Sequence, residues 1–226
     1  ITAVTAQNPL TVTDVKIMDP TLIQNQIRQI MDYYPIAVCK TGMLGNASVI
    51  QEIADVLSEF ADLSLIVDPV MVASSGARLL EDSGIVSYEN RLFPLATLIT
   101  PNLPEAEVLL GRSLKHLSEW APAALELAQK YGCACLLKGG HQETGDKLTD
   151  FLATADGQLT YLENPWIPSV NTHGSGCTLA AAITAHLARG SNLQSAVRNA
   201  REYLKNGMKH PLRIAASSFI SHSSLS

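Results

Sequence analysis

Four short runs, "IAVCK", "LSLIVDP", "ATLITP" and "CACLLK", are apolar almost throughout and recur between stretches of helical periodicity. A strand apolar on both faces has to be covered on both, as the central strands of a parallel sheet are when helices pack on each side. The helical stretches carry their own boundaries. Asp19-Pro20 supplies an N-cap and an N1 proline ahead of Leu22, Ile23, Ile27, Ile30 and Met31, and Asn46 caps "ASVIQEIADVLSEFA". Helices are also predicted over 103–110, ending at Gly111, and over 118–131, closed by Gly132. Two more, over 176–188 and 193–205, close the chain against the sheet. The opening "ITAVTAQ" reads as a further buried strand. "LTDFLAT" and "QLTYLEN" flank Ala155-Asp156-Gly157 and predict an antiparallel hairpin at a sheet edge. The fold class that follows is α/β: a single domain over 1–214, with a mostly parallel central sheet flanked by helices on both faces. The serine-rich 215–226 is expected to be a loosely held tail.

Composition narrows the function classes. Across 226 residues, 46% hydrophobic and 16% charged content describes a well-cored protein. A net charge of −5 argues against a broad nucleic-acid surface while leaving room for a local basic pocket around an anion. No apolar run reaches the roughly 18 to 20 residues that cross a bilayer, so the chain is read as soluble and cytoplasmic, with no membrane partner. Cys39, Cys133, Cys135 and Cys177 do not form a disulfide framework, and the C-x-C pair reads as small apolar packing on one strand face. Because "ITAVTAQ" opens at Ile1 with nothing ahead of it, the chain is expected to begin inside its fold.

The residues suited to chemistry gather at strand ends. "THGSGC" leads into a helix, so the backbone N–H groups of Gly174, Ser175, Gly176 and Cys177 are unpaired donors at the positive end of a helix dipole. That is an anion cradle, although an ordinary glycine-containing cap explains the same residues. The dipole is expected to favour the Cys177 thiolate and lower its pKa from about 8.5, making it a proton acceptor; a structural thiol is the alternative. "LIVDPVM" places Asp68 at the carboxyl end of a parallel strand, the side where α/β sheets bind ligands. Asn102 and Glu105 stand three apart across a helix start, spaced to share a hydrated magnesium ion and equally spaced as a capping box. Lys138 follows a buried strand in "LLKGGH", where its ammonium can neutralise phosphate. "KTGML" repeats that arrangement with Lys40, Gly42 and Met43, and Gln7 ends the first strand, so four strand ends converge on one rim.

In that order, "TAVTAQN", "KTGML", "IVDPVMVASSG", "ITPNLPEAE", "LLKGGH" and "NTHGSGCTLAAAI" resemble the hydroxymethylpyrimidine and phosphomethylpyrimidine kinases of the ribokinase-like superfamily, to about Lys205. The resemblance implies transfer of the γ-phosphoryl group of ATP to 4-amino-5-hydroxymethyl-2-methylpyrimidine or its monophosphate, with Mg2+ and room for a monovalent cation. It places Cys177 as the base within an anion hole of Gly174, Ser175 and Gly176. Asp68, Asn102, Thr172 and Lys138 are implied at ATP and its phosphates; Glu105, Asn102 and Asp68 at the metal; Gln7, Met43 and Val70 at the pyrimidine. His173 is left unassigned. The resemblance also implies a homodimer, and an upstream strand and glycine-rich segment completing the pocket. "GMKHPLRIAASS" departs from the glycine-rich close of such kinases. The alternatives are a pyridoxal or pyridoxine kinase, whose substrate is also a flat heterocycle bearing a hydroxymethyl group, and a non-catalytic ligand-binding or partner domain.

Overall fold

The computed structural model describes residues 1–8, 11–71, 80–139, 147–167, 174–214 and 217–223. The chain opens with two antiparallel strands, β1 (Ala3–Gln7) and β2 (Val12–Ile17), which pair with each other as a separate two-stranded sheet. The expected buried opening strand is therefore corrected. Ala3 and Thr5 are half-buried, but Val4 is 55% exposed and Ala6 and Gln7 are exposed. An apolar run records a wish for cover, and here only one face receives it. The sequence reading also passed over β2, where half-buried Val12, Val15 and Ile17 are interrupted by exposed Thr13, Asp14 and Lys16.

Helix α1 (Pro20–Met31) starts as its cap predicts, with Asp19 Oδ1 accepting the Leu22 N–H at 3.1 Å. After β3 (Val38–Thr41), Asn46 Oδ1 accepts the Val49 N–H at 2.9 Å and starts α2 (Ala47–Leu57), whose Val49, Ile50 and Ile53 are buried. Strand β4 (Ser64–Val67) follows. Next comes an element absent from the sequence reading, α3 (Asp82–Ser87), continued by a π-helical turn (Tyr88–Leu92) and a 3-10 turn (Phe93–Leu95). It anchors Tyr88, Leu92 and Phe93, each 0% exposed, in the core. Then come β5 (Leu98–Ile99), α4 (Leu103–Leu110), α5 (Leu117–Tyr131) and β6 (Ala134–Leu137). Gly111 and Gly132 take φ of 65° and 67° at the two helix ends, the left-handed exit that glycine adopts without steric cost.

The predicted hairpin is β7 (Lys147–Ala153) and β8 (Leu159–Pro165), its turn at Gly157 with φ 91°. Helices α6 (Ser175–Ala188) and α7 (Leu193–Lys209) complete the layer, and α7 runs past the expected end at Lys205. Part of the serine-rich end is ordered by pairing: β10 (Ser217–Phe219) lies antiparallel to β9 (Leu212–Ile214), and Ile220 is buried.

The central sheet runs β3-β4-β5-β6-β7-β8, with β3 to β6 parallel and the β7–β8 hairpin antiparallel at the edge. Its two faces separate by alternation. Leu65, Val67, Ile99, Cys135, Leu137 and Phe151 pack in the core that contains α2 and α5. Ile66, Leu98, Ala134, Leu136, Leu152 and Leu162 face Leu179, Ile183 and Val197 of α6 and α7. This three-layer arrangement is the expected α/β fold, and each fully buried Leu or Ile contributes about 1.5–3 kcal/mol to it.

Candidate active site

The parallel ladders do not stop where the strands do. The Asp68 N–H donates to the Thr41 carbonyl at 3.2 Å, the Thr100 N–H to Val67 at 3.0 Å, and the Lys138 N–H to Pro101 at 2.9 Å. Asn102 and Lys138 form one further parallel bridge. Backbone pairing thus sets Thr41, Asp68, Thr100, Asn102 and Lys138 side by side along the carboxyl edge of the sheet.

Their side chains then meet. Asp68, 2% exposed, accepts from the Thr100 hydroxyl at 2.9 Å and from Lys138 Nζ at 3.0 Å, both at Oδ1. A buried carboxylate requires such partners, since an unpaired one costs several kcal/mol. Burial pulls the Lys138 pKa down, but the Asp68 and Glu105 carboxylates outweigh it, so the ammonium is held above its ordinary value. The Thr100 hydroxyl went unnoticed in the sequence. A threonine closing a strand ahead of Pro101 carries no separate signal.

Asn102 and Glu105 form the capping box that their spacing allows: Asn102 Oδ1 accepts the Glu105 N–H at 2.9 Å, and Glu105 Oε2 accepts the Asn102 N–H at 2.8 Å. Glu105 Oε1 also accepts from the Met71 N–H at 3.4 Å. Burial pushes the Glu105 carboxyl up to about 7, and the Asp68 charge adds to the push against the pull of Lys138 and the two amides. Among the described residues no three His, Cys, Asp or Glu side chains cluster as a metal cage. Two carboxylates that feel each other's charge still fit magnesium, which uses one or two carboxylates and takes its other ligands from phosphate and water.

Helix α6 brings its first turn onto this pair. Gly174 enters with φ 80°, and the N–H groups of the first turn have no intrahelical acceptor. A Cβ on Gly176 would lie 3.1 Å from Lys138 Nζ and 3.9 Å from Asp68 Oδ2, so the cradle backbone sits directly against the ion pair. Cys177 is exposed at the mouth, where its thiol feels the Asp68 carboxylate. The expected lowering of its pKa is corrected. The thiol is raised, first by partial desolvation and next by the adjacent Asp68 charge, while Lys40 and Lys138 pull the other way. Dipole attraction, about 0.3–1 kcal/mol at a helix end, is too small to reverse a neighbouring carboxylate. Thr172 and His173 lie outside the described residues.

Gln7 and Met43 line one cleft of about 660 Å³, between β1, α1 and the turn after β3; Val70 is not part of its wall. Val70 instead stands half-buried beside Asp68, whose carbonyl accepts the Val70 N–H at 2.9 Å. The cleft wall also contains Thr41, whose buried hydroxyl has no hydrogen-bond partner among the described residues. Apolar side chains such as Ile23, Ile27 and Ile53 supply much of the rest, with Thr2, Thr5, Gln26 and Lys40 among them, a surface suited to a flat ring with a few polar contacts.

The model of a family described as phosphomethylpyrimidine kinase matches residues 1–221. A hydroxymethylpyrimidine/phosphomethylpyrimidine kinase of Haemophilus influenzae is 40% identical over 95% of this chain and 80% of its own length. A thiamine biosynthesis bifunctional protein of Geobacter sulfurreducens is 40% identical over 90% of this chain and 41% of its own. Among solved structures, a Clostridium difficile phosphomethylpyrimidine kinase superposes with a TM-score of 0.77 at 33% identity, covering 91% of this chain and 84% of that one. An ADP complex of Bacillus subtilis pyridoxal kinase reaches 0.85 at 29% identity, covering 99% and 83%.

Proposed function

This chain belongs to the phosphomethylpyrimidine kinase family, and from that premise we propose that it transfers the γ-phosphoryl group of ATP to 4-amino-5-hydroxymethyl-2-methylpyrimidine and to its monophosphate, in thiamine biosynthesis. Membership makes it a kinase and sets aside the non-catalytic reading. The observation that carries the proposal is the meeting of an exposed thiol, a buried Asp68–Lys138 pair and the first turn of α6 at one point of the sheet edge.

Phosphoryl transfer asks the protein for position and charge more than for covalent chemistry. ATP supplies the phosphoryl group; Asp68, Glu105 and Asn102 would hold Mg2+, which would supply charge neutralisation to the phosphate oxygens. Lys138 offers an ammonium beside the cradle of Gly174, Ser175, Gly176 and Cys177, whose N–H groups face the transferred oxygens. Gln7 and Met43 hold the pyrimidine in the cleft, while Val70, outside the cleft wall, stands beside Asp68. Cys177, in the minor thiolate form, accepts the hydroxyl proton as the new bond forms. The homodimer, the monovalent cation and the cytoplasmic location belong to the same proposal, on family resemblance alone.

A coupled assay with ATP, Mg2+ and each substrate tests the reading: turnover of the pyrimidine alcohol and of its monophosphate is expected. The closer superposition on pyridoxal kinase supports a second reading, and turnover of pyridoxal with none of the pyrimidine would replace the first with it.

A further inference from the structure

Two lysines stand at this sheet edge, and each has a glycine opposite its head group. Lys138 Nζ lies 3.1 Å from where a Cβ of Gly176 would be, and Lys40 Nζ lies 3.2 Å from where a Cβ of Gly42 would be. Their partners differ. Lys138 is committed to Asp68 at 3.0 Å, whereas Lys40 makes no hydrogen bond or ion pair with another described residue. Lys40 is nevertheless half-buried, on strand β3 opposite Ile66, whose side chain belongs to the face covered by α6. It is shared by two cavities: it lines the cleft that holds Gln7 and Met43, and it lines a groove of about 670 Å³ that starts at Cys177 and follows α6. A partly desolvated ammonium with no counter-ion among the described residues is stabilised by an anion that arrives from outside.

The two acceptors of the proposed reaction differ in this one respect. The alcohol is neutral at its reacting end. The monophosphate brings about −1.5 to −2 charges, by analogy with other phosphate monoesters, toward a second phosphate and toward Asp68 and Glu105. The repulsion it meets calls for a cation on the acceptor's side of Cys177, not already bound to a carboxylate. Lys40 meets both conditions. We propose that Lys40 binds the phosphate of the monophosphate acceptor, and that this residue selectively supports the second of the two transfers. In that step the bond between the γ-phosphorus and the β-γ bridging oxygen breaks, a bond from the γ-phosphorus to an acceptor phosphate oxygen forms, and ADP leaves with the bridging oxygen; Lys40 keeps its proton throughout. Lys40 and Cys177 line the same groove, and the ammonium pulls the thiol toward its ionised form.

The inference rests on the proposed kinase activity, and its test separates the two. Wild type, Lys40→Met and Lys40→Arg are compared for kcat/KM on both acceptors, with thermal melting and ADP binding as controls for folding. Monophosphate binding is also measured by calorimetry without ATP. The expected result is a fall of at least tenfold in the ratio of monophosphate to alcohol kcat/KM for Lys40→Met, a similar loss of monophosphate affinity, and partial recovery in Lys40→Arg. Equal losses on both acceptors, or an unchanged monophosphate affinity, overturn the assignment and leave Lys40 as a modulator of Cys177 or of the fold. Wild-type protein that phosphorylates neither acceptor defeats the kinase reading instead; monophosphate affinity that still depends on Lys40 would then uphold the contact.

Discussion

Lys138 reaches 70 residues back along the chain to set its ammonium 3.0 Å from Asp68 Oδ1. Neither group is free to leave: Asp68 is sealed by the sheet, and the Lys138 side chain is only 15% exposed. Replacing Lys138 by Met strands a buried carboxylate whose remaining side-chain hydrogen bond, among the described residues, is the one from the Thr100 hydroxyl. The expected cost is about 3 kcal/mol in urea unfolding, and adding Asp68→Asn should recover part of it. Strict additivity of the two losses would show that the pair is not coupled.

Cys177 is expected to behave as a reluctant thiolate. Because desolvation and Asp68 raise its pKa, alkylation by iodoacetamide at pH 7 should be slower than that of a free cysteine, and turnover should climb as pH rises above neutrality. Cys177→Ala should lower kcat about 10²- to 10⁴-fold with ADP affinity nearly retained. Full turnover in that variant removes the sulfur from proton transfer.

Glu105 makes stability depend on pH in the direction opposite to most carboxylates. Its folded pKa of about 7 exceeds the ordinary 4.5, so between those values the folded chain keeps a proton that the unfolded chain has released. Stability therefore falls as pH rises from 4.5 to 7 and stays lower beyond, by up to about 3 kcal/mol. In metal-free buffer, urea unfolding of Glu105→Gln should lack this component and show the variant gaining on wild type between pH 5 and pH 8.

Two glycine-to-alanine changes should separate fold from chemistry. A Cβ at Gly139 would lie 1.9 Å from the Thr149 carbonyl oxygen, a backbone atom of the neighbouring strand. Gly139→Ala should cost about 3 kcal/mol in stability. At Gly176 the nearest atom is Lys138 Nζ at 3.1 Å, which needs to give by only a few tenths of an ångström and can keep its bond to Asp68, so Gly176→Ala should melt close to wild type while losing activity as the ammonium and the cradle are put out of line.

How far the sequence carried the argument depended on whether the cause was local. Asp19, Asn46 and the Asn102–Glu105 box act within one helical turn, and each was readable from neighbouring residues. The cover over a strand is not local. "ITAVTAQ" has the composition of a core strand, yet its one partner in the described chain is β2, and half its side chains meet solvent. The α3 segment was hidden for another reason: Gly84 and Pro94 punctuate it as if it were loop, and its continuation through π-helical and 3-10 turns has no single period to detect. At the site, residue types at strand ends identified Asp68 and Lys138 as candidates, and the glycine-rich helix start identified Cys177. The sign of the Cys177 shift required knowing that the fold partly desolvates the thiol and lays Asp68, 109 positions earlier in the chain, against it, relations only the folded chain creates.

Because one bridge beyond the last regular pair fastens Asn102 to Lys138, a helix cap and a strand tip belong to the same mechanical unit. A slip of β5 against β6 would have to break that bridge, so the extra pairing holds the cap and the lysine at a fixed spacing. An incoming nucleotide would then meet a ruler already cut to length, with little rearrangement left to make.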